Sequence, residues 1–295
     1  MLQNITKSQK QGRTNLHFSI LIPSWNNLAY LKLCVNSIRK NSQLNHQIII
    51  ILNQANDGSL EWVKTQEDLD YVWAKENIGI CYGLNSTRSL IQADYVLYAN
   101  DDMYMLPKWD EYLWQEIKQI GHQEFMLSAT MIEPFDTGNT SVIVQHYGDG
   151  LENFEEEKLL KEFEELQKSD WTGSTWPPNV MHRDLWDLVG GMSVEFHPGM
   201  YSDPDLSKKL WDAGVRYFKG VGKSRVYHFG SKSTKRIKRN IGSQTFLGKW
   251  KITSRSFTKN HLQRGSDFKI LPKDYKPSFW ENTIHLFKRL KNATK

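Results

Sequence analysis

Four short apolar runs, each closed by turn residues and the first three followed by helical patterning, dominate the first third of this 295-residue chain. Phe18 to Ile22 stops at Pro23, after which Ala29, Leu31, Leu33, Val35 and Ile38 recur at helical spacing. Gln47 to Leu52 closes on the turn-rich Asn53-Gln54-Ala55-Asn56-Asp57-Gly58-Ser59, and a helix containing Leu60, Trp62 and Val63 follows. Tyr71 to Ala74 gives a short third run, with Asn77 and Gly79 leading into a helix through Leu84, Ser89, Leu90 and Ile91. Tyr95 to Ala99 is the fourth. Alternating strands and helices joined by right-handed crossovers predict an α/β fold with a parallel, doubly wound sheet over residues 16 to about 110.

Open sheets of this kind bind ligands at the carboxyl ends of their strands. The fourth run ends there on Asn100-Asp101-Asp102. If the strand continues, Asn100 and Asp102 share one face and Asp101 points to the other. Asp102 could then hold a hard cation while Asp101 serves a neighbouring group; a bare acidic pair is also compatible with a solvated turn.

After Trp114 the rhythm changes. Phe125 to Met131 and Val142 to His146 read as strands, and Phe154 to Lys168 as a charged helix. A turn-rich segment with Trp171 and Trp176 comes next, then a helix from Asp184 to Val189 stopped by Gly190-Gly191. Ser202-Asp203-Pro204-Asp205 opens a helix through Leu206, Leu210 and Trp211 that Gly214 ends. Val215 to Lys219 and Arg225 to Phe229 read as two short strands. From Ser278 onward Phe279, Trp280, Thr283, Ile284, Phe287 and Leu290 lie near helical spacing beside Lys288, Arg289 and Lys291. That helix suits either packing on its own domain or lying on an anionic membrane surface.

Residues 1–15 are polar and contain no apolar leader core, and no run of 18 apolar residues occurs. Cys34 and Cys81 lack metal-site spacing, so a reducing, cytoplasmic setting is expected, peripheral at a membrane if the last helix binds one. The net charge of +5 is concentrated: Lys223, Arg225, Lys232, Lys235, Arg236, Lys238 and Arg239 crowd one stretch. No nucleic-acid-binding motif accompanies it, so a diphosphate or plain solvent is the expected partner.

Taken in order, these motifs resemble the GT-A fold glycosyltransferases of family 2, over about Phe18 to Ser231. Ile22-Pro23-Ser24-Trp25-Asn26 is similar to the family's first nucleotide-contacting loop, Asn53 to Ser59 to its second-strand turn, and Glu76-Asn77-Ile78-Gly79, with Asn85, to its Asn-x-Gly segment. Asn100-Asp101-Asp102 resembles the metal-binding Asp-x-Asp element. Gly190-Gly191-Met192, Ser202-Asp203-Pro204-Asp205 and Arg225-Val226-Tyr227-His228-Phe229-Gly230 resemble the acceptor-side and catalytic region.

The resemblance implies a Rossmann-like, mostly parallel sheet in a domain spanning 16–240. Residues 16–115 would bind the nucleotide-sugar and 116–240 the acceptor, flanked by a polar extension at 1–15 and a basic, helical one at 241–295. It implies inverting transfer of one sugar from a nucleotide-sugar to a hydroxyl of a glycan or glycolipid. Asp102, with His228, would hold Mn²⁺ or Mg²⁺ on the diphosphate, Asp203 would act as general base, and Asp205 would support it. Pro23, Trp25, Asn26, Asn53, Asn77, Gly79, Asn85, Asn100 and Asp101 would contact the donor, with Lys232 and Lys235 on a loop over the diphosphate. From the residues themselves Asp203 before Pro204 also reads as a helix N-cap, and His228 as a strand-end histidine bonded to backbone. Trp171, Trp176 and Trp186, with Asn179 and His182, are either acceptor contacts or core.

Three departures from the family pattern stand out. Leu52 occupies the position of the acid that reads the base, Asn100 replaces the first acid of the metal motif, and Ser202 stands where a Glu often precedes the base. Two other functions fit less well. A nucleotidyltransferase would carry a Gly-rich basic loop after the first strand, which Pro23-Ser24-Trp25-Asn26-Asn27 is not. A non-catalytic nucleotide- or carbohydrate-binding module would not need both Asp102 and Asp203.

Overall fold

The computed structural model describes residues 4–230, 240–269 and 271–293. Its first third runs β1 (Ile5–Ser8), β2 (Phe18–Ser24), α1 (Leu28–Asn41), β3 (His46–Asn53), α2 (Ser59–Thr65), β4 (Leu69–Ala74), α3 (Gly79–Ser86) and β5 (Tyr95–Tyr98). The middle adds β6 (Met103–Met105), α4 (Trp109–Ile120), β7 (Phe125–Glu133), β8 (Ile143–Val144), α5 (Glu156–Glu162), β9 (Trp171–Thr172), β10 (Asn179–His182), α6 (Arg183–Leu188), α7 (Ser202–Asp212) and β11 (Tyr217–His228). The last part is helical: α8 (Gly242–Trp250), α9 (Ser254–Ser256) and α10 (Phe279–Ala293).

One sheet runs through the molecule in the order β1-β4-β3-β2-β5-β10-β7-β11-β6, with β8 on β7 and β9 on β11. β4, β3, β2 and β5 are parallel neighbours. β10 enters antiparallel between β5 and β7, and β7 and β11 are again parallel. The runs of Ile and Leu in β2 and β3 are buried because helices cover both sheet faces. Ile20, Ile22, Ile48 and Ile50 pack with Leu31, Val35 and Ile38 of α1 on one face. Leu21, Ile49 and Ile51 pack with Leu84 of α3 and Leu206 and Leu210 of α7 on the other.

Several expectations shift. Pro23 does not stop its strand: β2 continues to Ser24, pairing Pro23 with Ile51 of β3. Pairing with β5 has already ended at Leu21, so the missing N–H lies on a side with no strand partner. The helix placed through Ser89 to Ile91 ends at Ser86 and gives way to a 3₁₀ turn at Arg88–Leu90. The charged helix of 154–168 shortens to α5. The two short strands before Gly230 are one, β11, whose register on β7 shifts between Val221 and Arg225. The polar segment at the start supplies β1, an edge strand antiparallel to β4.

Asp110, in the first turn of α4, ties that helix to the loop before β3. Its carboxylate accepts from the backbone N–H groups of Gln43 and Leu44, at 2.9 and 2.8 Å, and contacts His46 Nε2 at 2.9 Å. Burial favours the protonated acid, but the bonds from His46 and Gln43 prevail and hold its pKa below the ordinary range. Asp110→Ala would leave these donors without their acceptor. A loss of about 1–3 kcal/mol is expected in urea unfolding.

Candidate functional site

A cavity of about 1120 Å³ opens at the carboxyl ends of β2, β3 and β5, where Pro23, Ser24, Trp25, Asn53, Asn100, Asp101 and Asp102 line it. Glu133 from the end of β7, His228 and Gly230 from the end of β11, Asp203 from α7, and Ser254, Arg255, Thr258 and Arg264 from the C-terminal segment complete the wall. The alternating-face expectation for Asn100 to Asp102 fails for a simple reason. The strand ends at Tyr98 and residues 101–102 form a turn into β6, so all three residues line the same cavity.

β6 then carries Asp102 to His228. Its antiparallel register sets Met103 against His228, and the N–H of Phe229 donates to the carbonyl of Asp102 at 3.2 Å. His228 Nε2 lies 3.5 Å from Asp102 Oδ1, and Nδ1 lies 2.8 Å from Glu133 Oε1. Burial alone would keep the ring neutral, but Asp102 and Glu133 outweigh it and raise its pKa to about 10. The strand-end reading of His228 is thereby corrected: its partners are carboxylates. Glu133 escaped the sequence reading because only the parallel register of β7 on β11, Ile132 beside Tyr227, brings it here.

A divalent cation would have to displace the proton from Nε2; with the ring neutral, one carboxylate and one imidazole facing the cavity, the imidazole oriented by Glu133 on its other nitrogen, fit a cation that completes its shell with ligand oxygens and water. Among the described residues no three His, Cys, Asp or Glu side chains form a closed metal cluster. The arrangement therefore suits a cation that arrives with its substrate.

Asp203 lines the same cavity. The N-cap reading is corrected, since α7 begins one residue earlier, at Ser202, after Tyr201 in a left-handed conformation (φ 71°). Ser202 Oγ donates to the carbonyl of Gly199 at 2.6 Å. Asp203 is left with no capping duty, and its Oδ1 is buried without a hydrogen-bond partner. That burial raises its pKa to about 7. A carboxylate poised near neutrality and facing a cavity is suited to accept a proton.

Around β3 and α3 the amide side chains shape the wall. Asn53 Oδ1 accepts from Ile78 N–H at 3.2 Å, and Asn77 Oδ1 from Gly79 N–H at 2.8 Å. Gly79 has φ 74°, and a Cβ there would lie 2.4 Å from His197 Nδ1, so only glycine fits. The Trp25 indole donates to Gln54 Oε1 at 3.0 Å. All four of these residues line the cavity.

Three other candidates do not. Asn26 holds the following turn by accepting from Asn56 N–H, and Asn85 grips Met192 through both its N–H and its carbonyl. Asp205 turns away, accepting from the Trp250 indole at 2.8 Å and pairing with Lys249 at 2.9 Å. Its part is to lock α7 to α8. Lys232 and Lys235 lie outside the described residues. Of the basic stretch, Arg225 is a buried structural cation that donates to the carbonyls of Phe163 and Gly222.

Of the three tryptophans weighed as acceptor contacts, Trp176 alone lines the cavity, with the Arg264 guanidinium 3.9 Å above its ring. Trp171 and Trp186 are core, the former bonded to Thr130 Oγ1. Asn179 is buried in β10, and His182 caps α6 by accepting from Asp184 N–H.

The α/β sheet with a wide cavity across its strand ends is the GT-A glycosyltransferase fold. Residues 19–181 match glycosyl transferase family 2, and the chain belongs to that family. Solved structures similar to it include S. aureus TarS 1-349, at TM-score 0.52 and 13% identity over 72% of this chain and 60% of that one. The mannosyltransferase PcManGT from Pyrobaculum calidifontis, in complex with GDP-Man and Mn²⁺, is similar at 0.51 and 13% over 75% and 59%. GalNAc-T7 with UDP, GalNAc and Mn²⁺ is similar at 0.57 and 13% over 85% and 51%. The chain thus spans about 60% of the length of the first of these structures. No curated protein matches it.

Proposed function

We propose that this protein transfers one sugar, with inversion, from a nucleotide-sugar to a hydroxyl of a glycan or glycolipid acceptor. The observation that carries the reading is Asp203: an unpartnered, buried carboxylate oxygen with a pKa near 7, in the same cavity as Asp102 and His228. The nucleotide would lie along Pro23, Trp25, Asn53, Asn77 and Gly79. Solved complexes of TarS with UDP-GlcNAc and of PcManGT with GDP-Man and Mn²⁺ support a nucleotide-sugar donor on this fold.

Asp102 and His228 are the residues that would hold a divalent cation, the imidazole tilting the choice from Mg²⁺ toward Mn²⁺. Such a cation supplies charge neutralisation for the departing diphosphate. Asp203 takes the proton of the acceptor hydroxyl as that oxygen attacks the anomeric carbon from the face opposite the diphosphate. One displacement inverts the configuration. Leu52 is buried in the core and offers the base no carboxylate, which leaves base recognition to neighbouring groups such as Asn53.

Proton NMR of the first product formed from an α-linked nucleotide-sugar tests the mechanism: a β-linked product is expected, and an α-linked one contradicts it. Glu133→Ala removes the acceptor that orients His228. It should weaken Mn²⁺-dependent nucleotide binding by about 10–100-fold in calorimetric titration, as loss of such supporting groups does elsewhere.

A further inference from the structure

α10 faces the wrong way for a helix that packs on its own domain. Phe279, Trp280, Ile284, Leu286, Phe287 and Leu290 are each between 50% and 77% exposed. At about 100° per residue these six side chains fall on one side of the helix. The opposite side faces the body: His285 is buried, and Glu281 accepts from Ser256 Oγ at 2.5 Å, Asn260 Nδ2 at 2.9 Å and Tyr275 Oη at 2.5 Å. The helix is thus anchored through its polar side and presents its apolar side outward. Monomeric proteins seldom leave so continuous an apolar strip uncovered.

The charges around the strip have one sign. Lys288 borders the strip and Lys291 lies at its C-terminal end, and Lys273 and Lys276 are exposed on the segment leading into the helix. The nearby acids are paired, Glu281 as above and the exposed Asp274 with Arg216 at 2.7 Å. An outward apolar face flanked by cations is the arrangement of a helix lying in the interface of an anionic bilayer. A second copy of the chain is a poorer occupant. Its like-charged flanks would meet those of the first copy. Among the described residues no helix is long and apolar enough to cross a membrane, so the contact would be peripheral.

We infer that α10 is a membrane-docking helix that seats Phe279, Trp280, Ile284, Phe287 and Leu290 in the surface of an anionic lipid bilayer. The Ser256–Glu281 bond ties it to the 254–258 segment that lines the cavity, so docking would bring the cavity rim to the lipid surface. The inference does not depend on the proposed transfer reaction.

The test is sedimentation of the full chain with phosphatidylcholine vesicles, with and without phosphatidylglycerol. Binding is expected only with phosphatidylglycerol and should weaken as salt rises. The exposed pair Trp280→Asp with Phe287→Asp should reduce it at least tenfold, and Lys288→Glu with Lys291→Glu should remove the preference for anionic lipid. Circular dichroism and a thermal melt of each variant check that its fold is intact. Failure of the unaltered protein to bind phosphatidylglycerol vesicles would overturn the inference. So would concentration-dependent self-association, in the absence of vesicle binding, that Trp280→Asp with Phe287→Asp abolishes; that result would give the face to a second copy.

Discussion

Asp203→Asn should remove sugar transfer while leaving nucleotide binding intact. Asn has nearly the same shape but cannot accept the acceptor proton, and loss of a general base lowers turnover by about 10²–10⁴-fold. The expected signature is a fall in kcat with little change in donor affinity. In the unaltered enzyme, kcat should rise with pH through about 7 and then level off, because below that value Asp203 holds its proton and cannot serve as base. Stability should move the other way. A carboxyl whose pKa rises from 3.8 to about 7 on folding takes up a proton across that window, so its charged form opposes folding above it and the penalty vanishes below it. Asp203→Asn should therefore stabilise the protein at pH 8, by about 1–3 kcal/mol, and have little effect at pH 3. Lower activity with a higher Tm at alkaline pH is hard to obtain by damaging the fold, and thermal melts at the two pH values would read it.

The second large effect is expected at Asp102. Asn100 supplies no charge, Asp101 belongs to the same turn, and the β6 register puts the Asp102 carboxylate beside His228. If these two groups hold the cation that offsets the diphosphate charge, Asp102→Ala removes half of the protein's hold on it. Turnover should fall about a thousandfold, the scale seen when a main group stabilising developing negative charge is lost. Excess Mn²⁺ should not restore it, because the remaining imidazole lacks its anionic counterpart. Asp102→Asn, which preserves volume, should be nearly as damaging. Retention of full activity by either variant would move the cation site elsewhere.

The parallel half of the fold was legible because its signals are local. β2, β3 and β5 announce themselves as apolar runs, and α1 and α3 as periodic segments between them. β6, β9 and β10, two to four residues each, carry no period of their own and exist only because the sheet has neighbours to pair with them. The site divides along the same line. Asp102, Asn53, Asn77 and Gly79 sit at strand ends or turns whose positions follow from the pattern, and they do face the cavity. Glu133, Arg255, Thr258 and Arg264 reach it through sheet register and through the wrapping of the C-terminal segment, neither of which a single sequence displays. Asp205 misled because at helical spacing it lies two residues from Asp203 and so on another side of α7, toward Lys249. The same blindness hid the outward orientation of α10. Its apolar period is plain in the sequence, but the period alone does not say which side meets the protein.

Calorimetric titration would show whether Asp102 anchors a cation-dependent nucleotide site. UDP, GDP, dTDP and CMP would each be titrated into the protein with and without Mn²⁺, and again into Asp102→Ala. Tight binding of one nucleotide, only with the cation and only with Asp102 intact, is the predicted result, and it would name the base that Leu52 leaves unread. Binding by none of the four, or equal binding with the metal withheld and Asp102 replaced, would show that Asp102 builds no such site.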